Sequence, residues 1–276
     1  MRIAIVTDST SDIPAELVQA HGIRVVPNIL IIDGQEFEDG KGITRREFYE
    51  RLPDMHTIPT TATASSGAYE ALYERLFEES FDLILSIHAA SSLSGIFNAA
   101  RLAAQPFDER VRVIDSRQVS MGLGLQVLAA AEAVEAGEGL ERVLARLEAA
   151  RKSVRLIAML DTLEYLRRSG RVSWARASLG SLLRIKPFIE VKDGSVCRLG
   201  EVRTRAKGAA RLVERIQESG PYERLAFLHT NAEDEARRLR EQLGSQFSGT
   251  SFIINVTTII GTHAGPGALG FAGLPR

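Results

Sequence analysis

The strongest constraint in this sequence is the alternation of two hydrophobic periods. Short runs of aliphatic and β-branched residues recur between longer stretches whose apolar positions fall three or four apart, the pattern of an α/β protein with a largely parallel sheet. Residues 3–6, 83–87 and 111–114 read as buried strands, and 23–32 as an extended segment interrupted by Pro27 and closed by the Asp33-Gly34 turn. Residues 45–52, 69–77 and 95–104 read as helices, and Asp12 is placed to cap another with Pro14 in its first turn. Four β/α units are therefore expected in the first half. Helices at 122–136 and 140–151 follow, separated at Gly137 and Gly139. The pattern then restarts with strands at 155–159, 187–191, 225–229 and 252–258 and helices at 163–168 and 206–216. A domain boundary is expected near residue 150, which divides the chain into residues 1–150 and 151–276. No repeat of solenoid length is present.

Composition narrows the function classes. A chain of 276 residues can bury one large or two modest cores. With 34 Lys+Arg against 35 Asp+Glu the formal charge is −1, which argues against affinity drawn from a basic surface on nucleic acid or anionic lipid. Cys197, the one cysteine, has no disulfide partner within the chain, and no Cys/His cluster has zinc spacing, so a reducing, cytoplasmic home and no metal are expected. Met1 leads straight into the first strand-like run, and there is neither a signal-length apolar stretch nor an 18-residue span, so a soluble protein without an integral membrane segment is expected.

The familiar catalytic and nucleotide motifs are weak or missing. There is no GxxxxGK[ST], no GxSxG and no HExxH. Gly265, Gly267 and Gly270 match GxGxxG after the last expected strand, but a dinucleotide fingerprint needs a following helix, a second strand and a distant acid. These glycines read better as points of close backbone approach. Ser94 and His263 form a possible nucleophile and base pair, and Asp8 after the first strand has the place of a phosphoryl-transfer aspartate. The plainer reading of Asp8 and Asp12 is a strand-to-helix turn held by bonds from side chain to backbone.

Four hydroxyl-rich segments stand out: 7–12, 59–66, 91–95 and 261–267, each read as a loop at a strand end. In α/β sheets such loops converge on one crevice. Ser94 and Gly95 sit where a helix is expected to begin, offering a hydroxyl and backbone N–H groups to an anion. Ser, Thr and Gly also make ordinary caps and turns, which is the commoner use of any one such segment. Taken together, without a base or metal cluster, they favour holding an anion over breaking a bond.

These residues resemble the DegV family. The resemblance is carried by Val6-Thr7-Asp8-Ser9-Thr10-Ser11-Asp12-Ile13-Pro14, Leu93-Ser94-Gly95, Val113-Ile114-Asp115-Ser116, Asp161-Thr162-Leu163-Glu164-Tyr165-Leu166 and Ser169-Gly170-Arg171-Val172. Ile185-Lys186-Pro187 and Gly261-Thr262-His263-Ala264-Gly265-Pro266-Gly267-Ala268 continue it, in family order from residue 3 to about 270. The resemblance implies an α/β fold of two domains, a three-layer α/β/α domain with a parallel sheet and a two-layer α/β domain with a mixed sheet. It implies a long-chain fatty acid such as palmitate in a tunnel between them, no cofactor, no catalysis by the chain itself, and a dihydroxyacetone-kinase-like fatty acid kinase as partner. Position by position, Thr61 and Ser94 are implied to bind the carboxylate, with Gly95 beside Ser94 and His263 near the head group. The sequence has Ala62-Thr63-Ala64 where the family has Ser-Gln-Pro, and Ile96-Phe97 where it has Thr-Tyr.

The physics of such a site is consistent. Roughly 15 methylenes at about 0.8 kcal/mol each set an upper bound of about 12 kcal/mol before ordering costs, so the tail would dominate affinity. Hydroxyls and helix N-terminal amides satisfy a carboxylate without burying a second charge and leave it reactive toward a phosphoryl donor. Arg167, Arg168 and Arg171 are either a partner-docking group or a solvated face. The competing class is an enzyme: an acyl hydrolase using Ser94 and His263, or a phosphoryl transferase using Asp8.

Overall fold

A computed structural model describes residues 1–177, 185–244 and 247–276. The chain opens with β1 (Ile3–Asp8), α1 (Ala15–Ala20), β2 (Arg24–Val26), β3 (Ile29–Ile32), β4 (Gln35–Glu38), α2 (Arg45–Arg51) and β5 (Thr60–Ala62). It continues through α3 (Ser66–Glu78), β6 (Leu83–His88), α4 (Ile96–Ala104), β7 (Val111–Asp115), α5 (Ser120–Glu135) and α6 (Leu140–Ser153). Then come β8 (Arg155–Met159), α7 (Glu164–Ser169), α8 (Ser173–Ala177), β9 (Lys186–Lys192), β10 (Ser195–Val202) and α9 (Arg205–Ser219). The described elements end with β11 (Tyr222–His229), α10 (Glu233–Leu243), β12 (Thr250–Asn255), α11 (Thr258–Ala264) and β13 (Leu269–Pro275).

By contact the chain divides into two units, each discontinuous in sequence. The first comprises Met1–Ile29, Ala62–Ser153 and Asp193–Ser195, and the second Leu30–Thr61, Val154–Lys192 and Val196–Arg276. Leu30–Thr61 packs with the second unit because Leu30, Ile32, Phe48, Tyr49 and Leu52 share one apolar cluster with Ile259.

The first unit carries a four-stranded sheet in the order β2-β1-β6-β7. It is parallel throughout, with Val6 beside Arg24, Ile3 beside Leu83 and Ile84 beside Val111. Every residue of β1 and β6 is buried, which is why their aliphatic residues run consecutively rather than alternating, with Thr7 and Asp8 ending β1 and Ser86 and His88 interrupting β6. Helices α3 and α4 pack together, as do α5 and α6, and these pairs cover the sheet in the three-layer arrangement the resemblance implies. Asp12 does not cap α1: it sits in a left-handed conformation (φ 56°) after a short 3-10 turn, Ser9–Ser11, and its carboxylate accepts the Ser120 hydroxyl at 2.6 Å. Pro14, which lacks a capping side chain, precedes the helix instead.

The second unit is built on a mixed six-stranded sheet in the order β10-β9-β8-β13-β11-β12. Strand β13 lies antiparallel to both β8 and β11, while β11 and β12 are parallel. The period of two sorts the side chains between faces. Ile157, Met159, Leu225, Phe227, Leu269 and Phe271 pack with Leu212 and Ile216 of α9 and Leu239 and Leu243 of α10. Ala158, Ile189 and Ala268 join Leu163, Leu166 and Val172 in a separate cluster. A small sheet, β4-β3-β5, completes the unit. The strand expected over 252–258 stops at Asn255, and α10 and β13 have no counterpart in the sequence-based elements.

Candidate functional site

Helix α11 carries His263, and the sequence around it had the marks of a strand followed by a loop. Ile259 and Ile260 are β-branched, and Gly261 and Thr262 are poor helix formers, so the helix depends on tertiary contacts. At its start the Thr257 hydroxyl accepts the Ile259 N–H at 3.3 Å, while the Asp39 carboxylate accepts the hydroxyls of Thr257 at 2.5 Å and Thr258 at 3.2 Å. The Tyr49 hydroxyl reaches the carbonyls of Val256 at 2.7 Å and Thr257 at 3.1 Å. A Cβ on Gly261 would collide with the Tyr49 ring, so only glycine admits this approach. At its end Gly265 turns with φ 76° and donates to the Gly261 carbonyl at 2.7 Å, with the Tyr165 ring where a side chain would stand. Residues 261–264, expected in a loop, are therefore the last turn of a helix.

Thr61 lies opposite His263 in the same unit. Its segment was also expected to be a loop, but Thr60–Ala62 forms β5 beside β3, which fixes the direction of the side chain. Thr61 Oγ1 is 3.2 Å from His263 Nε2. Burial, reinforced by the Arg171 charge, pulls the His263 pKa down to about 4, so the imidazole is neutral at pH 7. Its Nδ1 atom is enclosed without a hydrogen-bond partner. A neutral imidazole beside a hydroxyl, with hydrogen-bonding capacity to spare, can receive a polar head group without adding a buried charge.

Ser94 and Gly95 belong to the first unit, at the start of α4. Ser94 N–H donates to the Ala90 carbonyl at 3.2 Å, and its hydroxyl takes a long 3.4 Å contact from Ile96 N–H. Gly95 occupies the N-cap position without a capping side chain and is exposed. A few residues upstream, Ser91 donates its hydroxyl to Asp115 at 2.6 Å. The structure thus pairs Thr61 with His263 in the second unit and places Ser94 with Gly95 in the first.

Asp8 has a structural role. One carboxylate oxygen accepts the Thr10 N–H at 3.0 Å and hydroxyl at 2.5 Å, plus Asn28 Nδ2 at 3.3 Å; the other accepts His88 Nδ1 at 3.0 Å and Ala89 N–H at 3.2 Å. Burial pushes its pKa up, but bonds and charge from His88 and bonds from Thr10 outweigh that and hold the carboxyl below 3.8. The chain of bonds continues from His88 Nε2 to Ser86 Oγ at 2.7 Å and on to the Tyr73 hydroxyl at 2.8 Å. Asp8, His88 and Ser86 have the connectivity of a hydrolase triad. All three are 0% exposed, so no substrate reaches the serine. His88 and Ser86 escaped sequence reasoning because they look like two polar interruptions in a strand.

The remaining sequence signals resolve simply. Gly270 lies within β13, where a Cβ would meet the Ile157 carbonyl oxygen at 2.5 Å, so the GxGxxG match reflects close strand packing. Arg168 pairs with Glu164, and Arg171 donates to the Ser169 carbonyl at 2.8 Å. A cleft of about 170 Å³ lined by Phe188, Leu199, Val202, Arg211 and Arg215 contains none of the predicted site residues. Among the described residues no helix is long and apolar enough to cross a membrane, and no group of three or more His, Cys, Asp or Glu is placed to hold a metal.

Comparison with known proteins places the chain in a family. A family model described as an uncharacterised protein, DegV family, matches residues 2–276. A DegV domain-containing protein from Deinococcus radiodurans is 39% identical over 278 residues, covering 99% of this chain and 98% of its own. The DegV protein of Bacillus subtilis is 35% identical over 276 residues, covering 98% of each. Among solved structures, a fatty acid-binding DegV family protein from Thermus thermophilus superposes with a TM-score of 0.93 at 36% identity, covering 100% of both chains. The crystal structure of DegV from Bacillus subtilis, a fatty acid-binding protein, gives 0.90 at 34% identity, again over 100% of both.

Proposed function

The chain belongs to the DegV family, and from that we propose that it binds a long-chain fatty acid such as palmitate and acts as a non-catalytic cytoplasmic carrier. Thr61 and Ser94 supply hydroxyl donors to the carboxylate, Gly95 supplies backbone at the start of α4, and His263 lies at the head group. The carrier presents the carboxylate to a dihydroxyacetone-kinase-like fatty acid kinase. The observation that most supports this reading is the 3.2 Å contact between Thr61 and a neutral, enclosed His263 with Nδ1 unpartnered. Two hydroxyls and a neutral imidazole satisfy a carboxylate by hydrogen bonds while leaving its charge available to an electrophilic phosphorus.

The enzyme readings fit less well. A histidine held near a pKa of about 4 is a poor general base at pH 7, which weakens a Ser94 and His263 hydrolase. Asp8 is enclosed and its oxygens are occupied, which leaves no place for a phosphoryl group. Lipid extraction and mass spectrometry of the purified protein test the proposal, with co-purifying fatty acid as the expected result. The double variant Thr61→Ala with Ser94→Ala is expected to retain at least about tenfold less fatty acid, a loss of about 1.4 kcal/mol or more, with an unchanged circular dichroism spectrum. Unchanged retention would refute the head-group assignment, and ester turnover abolished by Ser94→Ala would establish the hydrolase instead.

A further inference from the structure

Behind the exit turn of α11 lies a charged network that the carboxylate contacts do not use. Arg205, the first residue of α9, bonds Glu235 through Nε at 3.0 Å and Nη2 at 2.8 Å. Its Nη1 donates to Asp161 Oδ1 and to the Gly267 carbonyl, each at 2.8 Å. Asp161 also accepts Lys186 Nζ at 2.5 Å. The turn is also bonded by Thr230, whose hydroxyl donates to the Gly265 carbonyl at 2.8 Å and accepts the Ala268 N–H at 2.7 Å. Gly265 and Gly267 both have positive φ, 76° and 73°, a backbone with much freedom to lose. A helix that ends in such a turn frays unless its exit is tied. His263 is in that last turn.

We propose that Arg205 is a positioning residue for the head-group site: by joining Glu235, Asp161 and the Gly267 carbonyl it holds the exit turn of α11, and with it the direction in which His263 faces Thr61. This deepens the fatty-acid reading and rests on it. The planar guanidinium fork spans two carboxylates and a carbonyl at once, which a single ammonium does not. The Arg205 side chain is 30% exposed, and ion pairs in such settings contribute little net folding energy. Its consequence is therefore geometric, and a folded Arg205→Gln variant is expected.

The test uses the full chain after delipidation, in Arg205→Gln and Arg205→Lys forms. Binding of hexadecanoate and of 1-hexadecanol is measured by displacement of a fluorescent fatty acid, and the His263 imidazole is followed by NMR without ligand. Arg205→Gln is expected to weaken hexadecanoate about tenfold while 1-hexadecanol stays within about twofold, because the alcohol lacks the carboxylate. The His263 resonance is expected to move, and Arg205→Lys to recover part of both effects. An equal loss for acid and alcohol, no loss, or an unmoved His263 resonance overturns the proposal. Should the parent protein take up neither ligand, the fatty-acid reading falls, and the His263 resonance alone still decides whether Arg205 sets the imidazole. If Arg205→Gln does not fold, Arg205→Lys carries the same comparison.

Discussion

At the scale of single residues, the heavily bonded Asp8 carboxylate is the informative case. Asp8 sits at the carboxyl end of β1, where a ligand-binding or phosphoryl-accepting aspartate is commonly sought, yet its acceptors are directed inward to Thr10, Asn28, His88 and Ala89. Breaking a buried charge-assisted pair from one side leaves the other partner unsatisfied, so Asp8→Asn is expected to cost about 3 kcal/mol at pH 7 in urea unfolding. The pH dependence has a definite sign. A carboxyl held below its unfolded value of 3.8 contributes stability that is present above that pH and lost as the pH falls through the folded value. Asp8→Asn is therefore expected to flatten the parent's acid limb below about pH 4. Equal stability of parent and variant at pH 7 would show that the network is dispensable. The sequence disclosed Asp8 as a turn organiser but not its distant partners, because His88, and Ser86 behind it, are brought to Asp8 only through the pairing of β1 with β6.

At the scale of elements, α11 is the informative case. Its sequence favours extended structure, and its helical form is imposed by Asp39 and Tyr49 at the start and by the Gly265 turn at the end. Gly261→Ala is expected to displace the Tyr49 ring and cost about 1–3 kcal/mol, as overpacking does. Tyr49→Phe removes the hydroxyl bonds to Val256 and Thr257 at about 1 kcal/mol. Because the two residues touch, the double variant should lose measurably less than the sum, by at least about 0.5 kcal/mol in a thermal or urea cycle. Strict additivity would show that Tyr49 does not hold the helix. Conversely, β1, β6, β8 and α9 were readable from periodicity alone, since each buries a continuous or regularly spaced apolar set in a way that local sequence dictates. Helix α10 carries the same signal in Ala236, Leu239 and Leu243, obscured by a surface rich in charge.

At the scale of the whole molecule, the second unit borrows Leu30–Thr61 from the first half of the chain. Phe48, Tyr49 and Leu52 are almost wholly buried in a cluster with Ile259, against which Tyr165 packs. A fragment of residues 154–276 lacks that cover and is expected to bind a hydrophobic dye and to melt broadly, while fusion to residues 30–61 should restore a sharp transition. A sharp transition in the fragment alone would show that the borrowed segment is not integral to the fold. Periodicity sufficed for the α/β class, the strand-helix alternation and the parallel sheet, because these follow from spacing within a dozen residues. The motif order sufficed for the family, and it is the source of the proposal that Thr61, Ser94, Gly95 and His263 form the head-group site. It took the folded chain to bring β5 to α11, to turn residues 258–264 into a helix and to lower the His263 pKa to about 4. Those outcomes depend on desolvation and on contacts between residues some 200 positions apart, such as Thr61 with His263. Neither is encoded in any local window of sequence, because both come into existence only when distant surfaces exclude water together.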